Sequence, residues 1–371
     1  MRILFTGGGS GGHIYPIIAV KKEIEKIINL FPFPLLVRFR FIGERPIEKD
    51  IFKKENIEMK RIISIKWRRY FSLKNFIDIL KFPFSLIQAA IYILIFMPDL
   101  IFSKGGPGSF PIVFIGWLYR IPIIIHESDS IPGFTNVLSS PFSKKIIISF
   151  KETEEFFPPK KVIWVGNPIR ENLLLGDREK AFNIFNLKGG RKIILFIGGS
   201  QGAGEINSLL IDAIYKYLER YEIIHIVGQK NFRNIELLIK GILKENQKEY
   251  YHLYSYLEEE KLAHAYAISD IIVSRAGAGG IFEIAAIEKP SILIPLKTSA
   301  GEHQIRNAQL FVKSGAAIAI EGINITPSFI FMKLYTLLRD ERLISQMKKA
   351  CRNFAKKEAG RNIAKIILEN L

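Results

Sequence analysis

Residues 5–16, FTGGGSGGHIYP, set five glycines, a serine and a histidine directly behind the apolar start MRIL. Glycine has no Cβ to hold a phosphate away from backbone N–H groups, and a helix beginning there adds its dipole, so the pattern suits an anionic ligand. Two turns of the same kind follow other apolar runs, SKGGPGSFP at 103–111 and GGSQGAGE at 198–205. One such loop is often only a tight strand-to-helix turn, but three in one chain favour binding. Gly7, Gly9 and Gly12 also match the G-x-G-x-x-G spacing of a dinucleotide site. That reading calls for an acidic residue about 20 positions further on. Here the acidic candidate is Glu44, 32 residues after Gly12 and close to Arg38 and Arg40. A nicotinamide or flavin cofactor is therefore a poor fit, and it leaves the other two glycine turns without a task.

The elements that must carry these loops are legible as alternation. Strand-like runs read RILFT, VRFRFIG, DLIFS, PIIIHE, KIIIS and KVIWVG in the first half, then KIILFIGG, EIIHIVG, YHLYSY, DIIVSR and PSILIP in the second, with helical patterns between them. This predicts an α/β chain of doubly wound parallel sheets with helices on both faces. The pattern breaks at GNPIRENLLLGD, 166–177, which divides the chain into 1–166 and 167–371, with the last helix free to pack back on the first domain. Ligand loops at the carboxyl ends of the strands of two such domains would face a shared cleft.

A length of 371 residues suits two domains, and 48% hydrophobic with 24% charged residues excludes a disordered chain. The single Cys351 rules out an internal disulfide and a thiolate metal cluster, which fits a reducing compartment. The start lacks the order of a secretory signal, so the cytoplasm is the expected location. The apolar stretch 82–97, bounded by Lys81 and Pro98, is short of the roughly 20 residues a membrane span needs.

The net charge of +17 is uneven: residues 60–81 hold Lys60, Arg61, Lys66, Arg68, Arg69, Lys74 and Lys81 against Asp78, interleaved with Trp67, Tyr70, Phe71 and Phe76. A cationic, aromatic segment leading into an apolar helix suits an anionic membrane surface. A solvated face on a core helix is the plainer reading, and nucleic-acid binding lacks any recognisable motif.

The remaining motifs have a familiar order. GGSGGHIYP, GGPGSFP, HESDSIPGFTN, GNPIR, GGSQGA, SRAGAGGIFEIAA and EHQIRNA, spread from residue 8 to 308, resemble the signatures of the MurG family, peptidoglycan N-acetylglucosaminyltransferases of the GT-B fold. The resemblance covers nearly the whole chain. It implies inverting transfer of N-acetylglucosamine from UDP-N-acetylglucosamine to the 4-hydroxyl of the muramoyl sugar of lipid I, giving lipid II, on the cytoplasmic face of the membrane. It implies no cofactor and no tightly held metal, and it leaves room for contact with other cell-wall or division proteins.

By the same resemblance the second half holds the donor. Ser200, Gln201 and Gly202 would present donors to the diphosphate, with Arg275 and Ala278 nearby, Glu283 on the ribose hydroxyls, and the Leu257 backbone on the uracil edge. Gln304 and Asn307, three apart on a helix, match sugar-binding residues, with His303 beside them. The first half would take the acceptor at Gly9, Ser10, Gly11, Gly12, His13, Gly105, Gly106, His126, Asp129, Asn136 and Arg170.

His13 is the candidate general base, with Glu127 as a second base or an orienting partner. Hydrogen-bonding a substrate phosphate and capping the helix are the other roles open to His13. Ser128 and Asp129 depart from the family's Gln-Asn pair, and a carboxylate there would face anionic substrates. Two other readings stay open on the residues. A UDP-N-acetylglucosamine 2-epimerase would alter the donor with no acceptor present, and a sugar-nucleotide-binding protein would bind without turnover.

Overall fold

The computed structural model describes residues 1–32, 35–46, 50–64, 73–198, 204–296 and 300–371. They form two compact units, Met1–Ile169 with Lys356–Leu371, and Arg170–Ala355.

The first unit is built on a seven-stranded parallel sheet. Its strands are β1 (Arg2–Gly7), β2 (Arg38–Gly43), β3 (Glu58–Arg61), β4 (Leu100–Ser103), β5 (Ile123–Glu127), β6 (Lys145–Ile148) and β7 (Val162–Trp164). They lie in the order β3-β2-β1-β4-β5-β6-β7. Continuous runs such as IIIHE and LIFS are buried along their whole length, as strands covered by helices on both faces must be. Alternate side chains then feed two cores. Ile3 and Phe5 join Ile17, Ile24, Phe41 and Ile363 on one face, while Leu4 joins Ile93, Ile101, Ile112 and Ile125 on the other. The helix Ala359–Leu368 packs on the helix Gly11–Ile28, so the segment 356–371 completes the first core.

The second unit has a six-stranded parallel sheet of β8 (Lys192–Ile197), β9 (Tyr221–Ile226), β10 (Tyr251–Tyr254), β11 (Ile271–Ser274), β12 (Ser291–Leu293) and β13 (Ala317–Ala319). Its order is β10-β9-β8-β11-β12-β13. Here Ile193 and Leu195 feed one core, and Ile194 and Phe196 the other.

Each sheet reverses its strand order once, between β1 and β4 and between β8 and β11. Loops leaving the carboxyl ends of those strands diverge to opposite faces and open a crevice, the usual ligand site of a doubly wound sheet. The glycine stretches 7–12 and 104–108 follow β1 and β4, and 275–280 follows β11. The 198–205 turn follows β8, but 199–203 lie outside the described residues.

Two strands, β3 and β13, are absent from the sequence-based set. Both are sheet edges, and both lack a long apolar run: EMKR is largely exposed and AIA is three residues long.

Candidate active site

In the first unit, the turn after β4 holds Gly105, Gly106 and Gly108 at φ +72°, +89° and +86°, a region an L side chain enters only with strain. Space is as restrictive as angle. A Cβ on Gly105 would stand 2.4 Å from Asn136 Oδ1, and one on Gly106 would stand 2.9 Å from Gly8 N. The two turns are joined by Gly8 N donating to Gly105 O at 2.9 Å.

His13 sits between them. A Cβ on Gly8 would lie 3.0 Å from its Nδ1, and one on Gly106 3.1 Å from its Nε2. Ser10 occupies the N-cap of the helix Gly11–Ile28, but its hydroxyl engages His13 Nδ1 at 2.8 Å instead of capping the backbone. Burial, seconded by the Lys104 charge and opposed by Asp129, brings the His13 pKa down to about 4, so the ring is neutral at physiological pH. Gly9 has a structural duty, because a Cβ there would meet Arg45 O at 2.2 Å. Gly11 and Gly12 open the helix, and Gly12 has only Ser10 Oγ, at 4.0 Å, near its Cβ position. Glu44, the acidic residue weighed for a dinucleotide ribose, accepts instead from Gly9 N at 3.4 Å.

Glu127 ends β5 as a buried carboxylate holding three donors: Asp129 N and Gly133 N at 3.0 Å each and Asn136 Nδ2 at 2.8 Å. Burial and the neighbouring Asp129 push its pKa up, against these bonds and Lys104. With its oxygens so occupied, Glu127 organises the 129–136 loop. His126 is fully buried, and both ring nitrogens are engaged, Nδ1 by Lys104 Nζ at 2.8 Å and Nε2 by Ser149 Oγ at 3.1 Å. The sequence groups it with acceptor contacts; the structure leaves its ring no free polar edge. Lys104 is the residue that sequence reading passed over. One lysine has no periodic signal, and the available clue was a charge ending a buried strand at a glycine turn.

In the second unit, Arg170 forks onto Glu283, Nε to Oε1 at 2.9 Å and Nη2 to Oε2 at 3.0 Å, with Tyr266 donating to Oε2 at 3.4 Å. The resemblance groups Arg170 with the acceptor residues; the structure sets its guanidinium on Glu283, the carboxylate expected to take ribose. The helix Ala278–Ala286 starts behind Gly277, and among the described residues a Cβ on Gly277 or Gly279 would meet nothing within 4 Å. These glycines, unlike Gly105, relieve no internal clash, and the helix N-terminus stays open to an anion. Arg275 is part-buried, with its Nε buried and unpaired among the described residues; burial lowers its pKa and Glu205 opposes that.

Asn307 is fully buried and donates to Ala276 O at 3.2 Å, tying the helix His303–Lys313 to the 275–280 turn. Gln304 accepts from Leu296 N at 3.0 Å, and His303 begins the helix behind Gly301 and Glu302, both at positive φ. Leu257 is buried in the core beyond β10, and Ala278 is buried at the helix start, so each offers main chain rather than side chain. Ser200, Gln201 and Gly202 lie outside the described residues.

Residues 3–148 match the glycosyltransferase family 28 N-terminal domain, and residues 193–365 match its C-terminal domain. The chain is 38% identical over 351 residues, 94% of its length and 93% of the relative's, to the UDP-N-acetylglucosamine--N-acetylmuramyl-(pentapeptide) pyrophosphoryl-undecaprenol N-acetylglucosamine transferase of Clostridium tetani. Among solved structures it is similar to MurG of Acinetobacter baumannii, with a TM-score of 0.73 and 23% identity over 99% of both chains. It is also similar to the UDP-GlcNAc 2-epimerase of Neisseria meningitidis, solved with UDP-GlcNAc, with a TM-score of 0.70 and 15% identity over 100% of both chains.

Proposed function

The chain belongs to the MurG family, within glycosyltransferase family 28 and the GT-B fold, and from that premise we propose that it transfers N-acetylglucosamine from UDP-N-acetylglucosamine to undecaprenyl-linked N-acetylmuramoyl-pentapeptide, lipid I, forming lipid II. Fold likeness is nearly equal for transferase and epimerase, so it does not decide the chemistry. The observation that carries the transferase reading is identity of 38% over 94% of the chain to a relative named for that transfer.

The reaction is inverting. The acceptor's 4-hydroxyl oxygen bonds to the anomeric carbon as the bond from that carbon to the UDP phosphate oxygen breaks, and the electron pair leaves with UDP. The hydroxyl proton goes to His13. With Nδ1–H donating to Ser10 Oγ, the Nε2 lone pair is the one available, on a ring kept neutral by its surroundings. Backbone N–H groups at the open start of the Ala278–Ala286 helix, with Arg275, Ser200, Gln201 and Gly202, meet the charge growing on the leaving diphosphate. A carboxylate has about four lone-pair sites, so Glu283 keeps capacity for ribose hydroxyls while Arg170 fixes its orientation. Gly11 and Gly12, at the start of their helix, receive the acceptor's pyrophosphate, Gly9, Gly105 and Gly106 let the two turns close around that site, and Glu127 with Asn136 shapes the wall beside them.

The enzyme works as a peripheral protein on the cytoplasmic face. No helix among the described residues is long and apolar enough to cross a membrane. The helix Leu73–Phe96 nevertheless exposes Leu80, Phe84, Ile87, Ile91, Leu94 and Ile95, a stripe at helical spacing suited to the headgroup boundary. Trp67, Arg68 and Arg69, expected beside it, lie outside the described residues.

The test is incubation with labelled UDP-N-acetylglucosamine, with and without a short-chain lipid I analogue. Label should reach lipid only when acceptor is present, and His13→Ala should lower kcat by about 100-fold or more with the donor KM little changed. Epimerised sugar, or binding without transfer, would overturn the reading.

A further inference from the structure

Lys104 has no task in the reaction as described, and its placement is costly. It follows the wholly buried β4 and is itself 3% exposed. A buried ammonium is tolerated when its donors are used and counter-charges lie near. Its Nζ is 2.8 Å from His126 Nδ1 and 2.5 Å from Ser128 Oγ, and the carboxylates of Glu127 and Asp129 act on its charge.

An ammonium only donates. His126 Nδ1 must therefore carry a lone pair, and the ring proton sits on Nε2, where it donates to Ser149 Oγ at 3.1 Å. Ser149 in turn donates to Glu127 O at 3.1 Å. On the other branch Ser128 Oγ accepts from Lys104 and donates to Asn167 Oδ1 at 2.7 Å. One cation thus sets the direction of the hydrogen bonds at both His126 ring nitrogens and makes the Ser128 hydroxyl an acceptor toward Lys104.

The same side chain runs close beneath the loop that carries His13, its Cβ 3.3 Å from where a Cβ on Gly7 would stand. The charged groups acting on His13 are Lys104, which opposes protonation, and Asp129, which favours it. On the far side of the loop Glu44 accepts from Gly9 N.

We propose that Lys104 is a positioning residue for the transfer, its ammonium fixing His126 as the Nε2–H tautomer and its positive charge, beneath the loop that carries His13, adding to the burial that favours the neutral ring. This rests on the reading of His13 as the base. Burial brings Lys104 itself down to about 8, against Glu127 and Asp129, so its charge is present at neutral pH and is lost as pH rises past that value.

The experiment records imidazole nitrogen and proton shifts against pH on the full-length protein labelled with nitrogen-15 at histidine, as wild type and as Lys104→Met, beside the pH profile of kcat/KM for transfer. Wild-type His126 should show the pure Nε2–H pattern at neutral pH and respond to a titration near pH 8. In Lys104→Met the His13 pKa should climb by about one unit, and the acid limb of kcat/KM should move with it. A structural loss alone would lower the rate at every pH without moving that limb. A mixed or Nδ1–H tautomer of His126 in the wild type overturns the proposal, as does an unmoved His13 pKa in folded Lys104→Met. If that variant fails to fold, the wild-type tautomer and its response near pH 8 decide. A His13 pKa that moves while the acid limb stays still removes His13 as the base, a failure distinct from loss of the Lys104 effect.

Discussion

At the scale of the residue, glycines do two opposite jobs. Gly105 is required by the protein, at φ +72° with Asn136 Oδ1 against its missing Cβ. Gly279 is not: it lies inside a helix, and among the described residues nothing stands within 4 Å of its Cβ position. Gly105→Ala should destabilise the first unit by about 1–2 kcal/mol or more and lower acceptor kcat/KM, because Asn136 and with it Glu127 must shift. Gly279→Ala should instead raise stability by up to about 1 kcal/mol while weakening UDP affinity. Urea unfolding beside calorimetric titration with UDP checks both, and unchanged UDP affinity in Gly279→Ala would show that the open space is not the ligand's. The sequence named both loops but not this difference, since glycine is written the same way whether a ligand or a neighbour requires it. Lys104 and the pairing of Arg170 with Glu283 were hidden for a related reason: each contact joins residues far apart in the chain, and no local pattern records it.

At the scale of the element, the helix Leu73–Phe96 divides its own faces. Ser85, Ala89, Ile93 and Phe96 are buried, while the apolar stripe opposite faces solvent. If that stripe enters a bilayer, Phe84→Asp with Ile87→Asp should cut flotation on vesicles containing anionic lipid several-fold, while transfer to a soluble acceptor analogue persists. Equal flotation of wild type and variant would remove the helix as the docking element. The sequence predicted the apolar run but could not say which side a core would claim. Interior strands such as IIIHE were legible because burial on both faces demands an unbroken apolar run. Edge strands β3 and β13 carry no such demand, and were missed where the physics relaxes.

At the scale of the whole molecule, neutral buried histidines tie stability to pH. Burial holds His13 at about 4, His225 at about 3 and His126 well below its ordinary value. Folded pKa values below the unfolded value of about 6.5 mean that the unfolded chain takes up protons first as pH falls. The stability present above pH 6.5 is therefore lost between about 6.5 and 4, at about 1.4 kcal/mol per pH unit for each such proton. Glu127, pushed upward, works against the trend with a single proton. Urea midpoints should fall from pH 7 to pH 5; an unchanged midpoint would mean that these rings charge within the fold.

The route of the backbone imposes an order in time. Ile363 and Ile367 belong to the core beneath β1, yet the ribosome makes them only after all of Arg170–Ala355. The first sheet to be synthesised therefore waits, its helix Gly11–Ile28 lacking a neighbour, while the second unit has every strand it needs. Birth order and completion order are reversed, and the nascent chain must keep Ile17 and Ile24 from other partners until the last helix emerges.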